Sequence, residues 1–302
     1  MLPFKKLNTL QKLYLKYTDR AAYKKYKKDK SDSGYYSKFF TLTHPSLAHK
    51  YKADTSFRHS GNSGDIMYAL PTIFELSKNG KAHIKLQINK KGLYSDYHPL
   101  GDMMLTQKMV DMLLPLLLYQ PQIANCSVYK NEEVDYDLDI FRDYPILLDK
   151  GNICRWYFYV YGINYPLHVP WLIAPTEAKY SQSIVIARSH RYRSPFVDYS
   201  FLNGYANLMF VGVQQEYDDI KIMLPQITYL PVSDFLQLAT IINSCKLFIG
   251  NQSFPFAIAE GLKVNRLLEV YFKSPNVVVE GKGGNDFMFQ PQFEYMVKQL
   301  CG

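Results

Sequence analysis

Cysteine is scarce in this sequence. The four that occur, Cys126, Cys154, Cys245 and Cys301, lie far apart, with no CxxC pair and no Cys/His cluster. That argues against a zinc site and suits reduced thiols in a cytosolic protein. Long apolar runs are missing too. The most apolar stretch, residues 112–119, is interrupted by Pro115 and is far too short to span a bilayer. The N-terminal region lacks the apolar core of a signal peptide. A cytoplasmic protein is expected, held at most peripherally at the inner face of a membrane. Acidic residues are outnumbered, 27 Asp and Glu against 35 Lys and Arg, and a formal charge of +8 implies a polyanionic partner.

Aromatic residues, by contrast, are plentiful, with 26 Tyr and 18 Phe. Tyr combines an apolar body with a polar tip and lines wide, half-wet clefts. The basic excess is concentrated in residues 5–30, which hold Lys5, Lys6, Lys12, Lys16, Arg20, Lys24, Lys25, Lys27, Lys28 and Lys30 against Asp19 and Asp29. The rest of the chain is close to neutral. Leu7, Leu10, Tyr14, Tyr17 and Ala21 recur at spacings of three and four, which predicts a helix over 4–28 with one apolar stripe. The polar run 29–34 (DKSDSG) is expected to end it as a loop. Either the stripe packs this helix onto the body, or the segment is a basic arm for an anionic membrane surface or nucleic acid.

Strand-like and helix-like stretches alternate from Thr55 onward. Expected strands are 55–59, 82–88 and 134–139; expected helices are 66–78, 103–118 (broken near Pro115) and 155–161. Pro166, Pro170 and Pro175 mark a linker over 166–178. The run 183–187 (SIVIA) then reads as a strand buried on both faces. Further strands are expected at 208–213, 247–250 and 277–279, with helices at 215–223 and 232–244, and a flexible loop at 281–285. Such alternation predicts two α/β units with mainly parallel sheets, 55–165 and 179–302, behind a basic helical extension over 1–54.

Three turns carry candidate chemistry. Gly61-Asn62-Ser63-Gly64-Asp65 follows the first strand and opens a helix. Glycines allow close backbone approach to a ligand, and a helix start offers free N–H groups to an anion. Asp65 there is either a simple N-terminal helix acid or a general base. His59, Asn62, Ser63 and Gly64 are the candidate acceptor contacts. The second turn, Gly250-Asn251-Gln252-Ser253, leads through Pro255 into another helix, with Ser253 as N-cap. The third is Arg188-Ser189-His190-Arg191-Tyr192-Arg193, whose arginine forks match phosphate oxygens. It lies at a strand's carboxyl end, where α/β sheets bind ligands. Asp135, Asp137 and Asp139 (DYDLD) read as a solvated strand face or, as the lesser alternative, a divalent-metal pair.

The segment 60–76 (SGNSGDIMYALPTIFEL) resembles the N-terminal motif of the ADP-heptose lipopolysaccharide heptosyltransferases, members of glycosyltransferase family 9: a Gly-Asp pair, apolar residues, then Ala-Leu-Pro. Residues 247–270 (LFIGNQSFPFAIAEGLKVNRLLEV) resemble that family's donor motif. The family carries Asp-Ser/Thr-Gly and a His in this second block, where this chain has Gln252, Ser253, Phe254 and Ala257. The resemblance implies an α/β fold of the GT-B type, with two Rossmann-like domains facing across a cleft, the acceptor in the first and a nucleotide sugar in the second. It places the catalytic aspartate on Asp65 and donor contacts on Arg188, Gly250, Gln252 and Ser253. Arg191 and Arg193 join the donor set from the same loop. Glu260 and Glu269 are the remaining acids near the turn, able to accept from ribose or sugar hydroxyls.

The expected activity is an inverting glycosyl transfer needing no cofactor and no bound metal. The acceptor is a glycan, a lipid-linked saccharide or a hydroxylated DNA base. A phage-type DNA base glycosyltransferase and a non-catalytic sugar-nucleotide-binding or glycan-binding protein are the alternatives.

Overall fold

The computed structural model describes residues 4–48, 52–92 and 101–301. It begins with a helical hairpin, α1 (Thr9–Thr18) and α2 (Arg20–Thr41). Asn8 caps α1 by accepting from the Gln11 N–H at 2.9 Å, and the Gln11 side chain accepts in turn from the Asn8 N–H. Asp19 breaks the single helix expected over 4–28. Its backbone is extended and its carboxylate accepts from the N–H groups of Ala21 and Ala22, ending α1 and capping α2 at once. The loop expected at 29–34 is instead the interior of α2. Those six residues contain no proline, and Gly34 alone costs a helix only about 1 kcal/mol. Neither helix has a buried residue. Residues 1–3 and 49–51 of the expected extension lie outside the described residues.

A four-stranded sheet follows, from β1 (Asp54–His59), β2 (Lys81–Leu86), β3 (Ile123–Val128) and β4 (Tyr136–Asp137), with α3 (Ser63–Leu76) between the first two strands and α4 (Gln107–Leu118) between the next two. All pairs are parallel, in the order β3-β2-β1-β4. β1 and β2 alternate, with Thr55, Phe57, His59, Ala82, Ile84 and Leu86 buried. The opposite face carries ion pairs, Arg58 with Asp137 and Lys85 with Glu132. This sheet therefore buries one face only. The strand expected over 134–139 shrinks to two residues before a 3-10 turn at Leu138–Arg142. Pro115 does not break α4, because it sits in the last turn, where one lost hydrogen bond ends nothing.

The aromatic helix α5 (Ile153–Tyr161) is buried nearly all round, leaving only Arg155 and Tyr159 outside its buried set, and ends at Gly162, whose φ is +61°. Residues 166–178 run across the body, where the N–H groups of Trp171 and Leu172 both donate to the Gly261 carbonyl.

The second sheet contains β5 (Ile184–Ala187), β6 (Leu208–Phe210), β7 (Thr228–Tyr229), β8 (Leu247–Asn251), β9 (Arg266–Glu269) and β10 (Gly284–Phe287). Helices α6 (Gln214–Met223), α7 (Phe235–Ser244), α8 (Phe254–Leu262) and α9 (Gln290–Cys301) complete this half. The order is β10-β9-β8-β5-β6-β7, all parallel. Numbered within the sheet this is 3-2-1-4-5-6, the doubly wound dinucleotide-binding order. The strand expected at 277–279 is absent. The loop expected at 281–285 instead runs into β10, which begins at Gly284. One apolar cluster runs through both halves, from Ile66 and Leu70 of α3 to Phe256 and Ala259 of α8. A second cluster, with Tyr199, Ile220 and Phe293, lies under α6 and α9.

Candidate functional site

Parallel sheets bind ligands beyond the carboxyl ends of their strands, at the point where strand order reverses. Those points lie between β1 and β4 in the first sheet and between β5 and β8 in the second. Both open onto one cavity of about 720 Å³. Residues 62–65 and Tyr68 of α3 line it, with 188–192 after β5, Gly212 and Glu216 at the start of α6, and 252–255 entering α8. The two helix starts are neighbours: a Cβ on Gly64 would stand 3.8 Å from the Phe254 Cα. The N–H groups of Ser63 and Gly64 in α3 and of Phe254 in α8, which no helix bond uses, therefore gather at one side of the cavity.

Asp65 reaches the wall with its side chain 23% exposed. Its Oδ2 accepts from the Asn62 N–H and from Arg142 Nη2, each at 3.2 Å. The second arm of Arg142 donates to Asp139 Oδ1 at 2.5 Å. Gly61 is glycine because there is no room for more: a Cβ would fall 2.6 Å from Asp65 Oδ2 and 2.7 Å from Arg142 Nη2. Asp139 is buried and also accepts from the Ser60 N–H and hydroxyl. Burial alone would raise its pKa, but His59, Arg142 and Lys90 outweigh that and hold the carboxyl well below the usual range. The acidic triplet is thus no single solvated face. Asp135 pairs with Lys52 and Ser56, Asp137 with Arg58, and Asp139 with Arg142. No group of three His, Cys, Asp or Glu placed to hold a metal occurs among the described residues.

His59 lies beneath this turn, fully buried and off the cavity wall. The Gly61 N–H donates to its Nδ1 at 2.8 Å, so the ring proton sits on Nε2 and donates to Tyr157 Oη at 2.8 Å. Tyr157 Oη donates on to the Asp65 carbonyl at 3.4 Å. Burial pushes the His59 pKa down to about 4. Between about pH 6.5 and 4 the unfolded chain therefore takes up a proton that the folded chain refuses, and stability falls as pH falls, by about 3 kcal/mol over that window. Urea unfolding at pH 7 and pH 4.5 checks this. His59→Gln should flatten the difference, and an equal loss in both proteins would rule His59 out as its source.

On the other side, Arg188 is buried with its fork on Glu269, Nε at 2.7 Å and Nη2 at 2.9 Å. Glu269 accepts further from the Ser194 N–H and Tyr199 Oη and does not reach the cavity. Glu260 is likewise enclosed, bound to Arg266, Lys263 and the Glu280 N–H. Arg193 turns to Asp219 and to the carbonyls of Arg188 and Ser189, off the wall. Gly250 sits inside the sheet, where a Cβ would meet the Phe248 ring at 2.9 Å. Asn251 is buried and ties down the loop after β5 through Ser189 and the Arg191 carbonyl. The wall itself is formed by Arg188, His190, Arg191, Gln252 and Ser253. Gln252 is oriented by Ser274, Asn276 and the Tyr271 N–H. Arg191 Nη2 donates to Tyr192 Oη at 2.7 Å.

Two wall residues escape a reading of the sequence. Glu216, in the first turn of α6, accepts from the His190 N–H at 3.3 Å, and burial holds its pKa above the usual range. Its only local signal is the glycine four residues earlier at the end of β6: a Cβ on Gly212 would meet Glu216 Oε2 at 3.1 Å. Tyr68 is 5% exposed, and its hydroxyl, like that of Ser63, is buried on this wall without a hydrogen-bond partner. A buried hydroxyl left unpaired is costly, so its place on a cavity wall marks it for a ligand.

No protein-family model matches the chain, and no curated protein matches it by sequence. Among solved structures it is similar to a glycosyl transferase of family 9 from Veillonella parvula, at 14% identity and a TM-score of 0.53, covering 84% of this chain and 91% of that one. It is similar also to the E. coli ADP-heptose LPS heptosyltransferase II, at 12% identity and a TM-score of 0.57, covering 83% and 98%. A third likeness is to the E. coli heptosyltransferase WaaC with ADP, at 8% identity and a TM-score of 0.54, covering 82% and 99%. The shared feature is the fold, a GT-B arrangement of two parallel α/β sheets.

Proposed function

We propose that this GT-B chain is a glycosyltransferase that moves a sugar from a nucleoside-diphosphate donor to a hydroxyl acceptor, with inversion and without a bound metal. One observation carries the reading. A single cavity is walled by the Asp65 carboxylate and the start of α3 on one side, and by the Arg188 loop and the start of α8 on the other. The solved WaaC carries ADP, which supports a nucleoside diphosphate as the ligand of this fold.

In this mechanism Asn62, Ser63 and Gly64 receive the acceptor beside Asp65. Asp65, held by Arg142 and the Asn62 N–H, takes the proton from the acceptor hydroxyl. The acceptor oxygen bonds to the anomeric carbon as the bond to the diphosphate oxygen breaks. The departing diphosphate gains negative charge, which Arg191 and the Phe254 N–H stabilise. Arg188 braces the donor loop through Glu269. Glu216 is placed to accept from a ribose hydroxyl. His59, Asn251 and Glu269 position these groups without touching substrate.

Thermal unfolding with ADP, UDP, GDP and their sugars tests the reading. A donor in hundredfold excess over its dissociation constant should add about 3 kcal/mol of stability. Tyr68→Phe should shrink that shift and leave the ligand-free melting temperature no lower, and somewhat higher if anything, since the hydroxyl has no partner to lose and its unpaired burial is costly. If no nucleotide or nucleotide sugar shifts the transition, the cavity is not a donor site.

A further inference from the structure

We propose that the N-terminal hairpin is a docking element for an anionic lipid surface. α1 presents Leu10, Leu13, Tyr14 and Tyr17 to solvent; three of them are more than 70% exposed, Leu10 at 77%, Tyr14 at 71% and Tyr17 at 79%. Their spacing of three, one and three places them on one helix face. The hairpin is closed beside that stripe, by Leu15 and by the segment that precedes α1: Leu7 and Leu15 are half-buried, the Leu7 N–H donates to Tyr26 Oη at 3.2 Å, and the Phe4 ring stands 5.4 Å from the Tyr26 ring. Closing the hairpin thus leaves Leu10, Leu13, Tyr14 and Tyr17 exposed.

The charge around the stripe selects its occupant. The ten cations and two acids of residues 5–30 carry the whole of the chain's +8, and the other 25 cations are matched by 25 acids. The cations border aromatic rings, with Lys16 Nζ 5.5 Å over Tyr17 and Lys27 Nζ 6.0 Å over Tyr23. An amphipathic helix lying in a bilayer interface uses both features. Leu and aromatic side chains enter the boundary between headgroups and acyl chains, and lysines reach back to anionic headgroups. A nucleic-acid backbone would be held by the cations alone and would leave Leu10 and Leu13 in water. No described helix is long and apolar enough to cross a membrane, so the contact lies on the surface.

The hairpin is fixed to the body at the Asp65 side. His44 Nδ1 and Tyr144 Oη are 2.7 Å apart, the Phe39 and Tyr144 rings meet at 5.9 Å, and Lys38 Nζ donates to the Arg142 carbonyl at 3.4 Å. The docking element thus grips the segment whose arginine holds Asp65.

Co-sedimentation of the full chain with phosphatidylcholine vesicles, with and without phosphatidylglycerol, provides the test. Anionic vesicles should bind at least about tenfold more protein, and the excess should fall as salt rises. Leu10→Asn/Tyr14→Asn/Tyr17→Asn, which leaves the charge unchanged, should lose about tenfold in binding while circular dichroism keeps its helix content. Lys24→Glu/Lys25→Glu/Lys27→Glu should lose the preference for anionic lipid. Equal binding to both vesicle types, or full binding by the Asn triple variant, overturns the proposal. So does duplex DNA that binds the chain and displaces it from vesicles, which would make the arm a nucleic-acid element. The nucleotide thermal shift uses a separate cavity and reports on the transferase reading whichever way the vesicles decide.

Discussion

Asp65→Asn is expected to cut turnover by about 10²–10⁴-fold while the nucleotide-induced thermal shift survives. Asn fills the same space and still offers an oxygen to the Asn62 N–H. It cannot take up a proton at neutral pH. Arg142 loses one anionic partner and keeps Asp139, so the turn stays assembled. The split between lost turnover and retained donor binding is what distinguishes a base from a structural cap: a cap would weaken folding and leave chemistry intact. Unchanged turnover in the Asn variant would remove Asp65 from the reaction.

The largest expected loss of stability belongs to Glu269→Ala, at about 3–5 kcal/mol. Glu269 is fully buried and accepts from Arg188 Nε and Nη2, from the Ser194 N–H and from Tyr199 Oη. Deleting it strands a guanidinium and two further donors in a buried site. Arg188→Met/Glu269→Leu should recover much of that loss, because removing both charges abolishes the uncompensated one. Urea denaturation of the two single variants and the double variant measures the coupling. The double variant should still bind nucleotide more weakly, since Arg188 forms part of the cavity wall and braces its loop. A cost below about 1 kcal/mol for Glu269→Ala would mean that the pair is not structural and that the Arg188 fork is open to a ligand phosphate.

The elements that could be read in advance are those whose local pattern matches their final burial. β5 and β8 are buried at every position, and the apolar runs at 184–187 and 247–249 say so, although β8 ends in a buried Asn251. β3 buries only Ile123 and Cys126, so IANCSV carries neither alternation nor a β-branched run. β9 is wholly buried yet begins with Arg266 and ends with Glu269. A charged residue reads as surface until its partner is known, and those partners, Glu260 and Arg188, sit on other elements. The same limit applies at the site. The two glycine turns are legible because close approach demands glycine locally. Arg142 finds Asp65 across 77 residues, and Glu269 finds Arg188 across 81. No spacing rule reports a pair at that range. Glu260 and Glu269 read as ligand contacts from proximity in sequence, whereas folding turned both into the cores of ion networks.

The apolar cluster that runs from α3 into α8 has a consequence for anyone cutting this protein into pieces. Gly261 has no space for a side chain, with Leu172 at 2.6 Å and Trp171 at 3.1 Å from where a Cβ would be, and the Asn276 carbonyl accepts from the Ile153 N–H at the head of α5. Either half expressed alone would carry a bare apolar face where its counterpart belongs, so a chimera that trades one half for a relative's must rebuild the α3–α8 seam as well. The hairpin imposes no such condition. It contributes nothing to the interior, so it can be removed or grafted onto another protein while the interior stays whole.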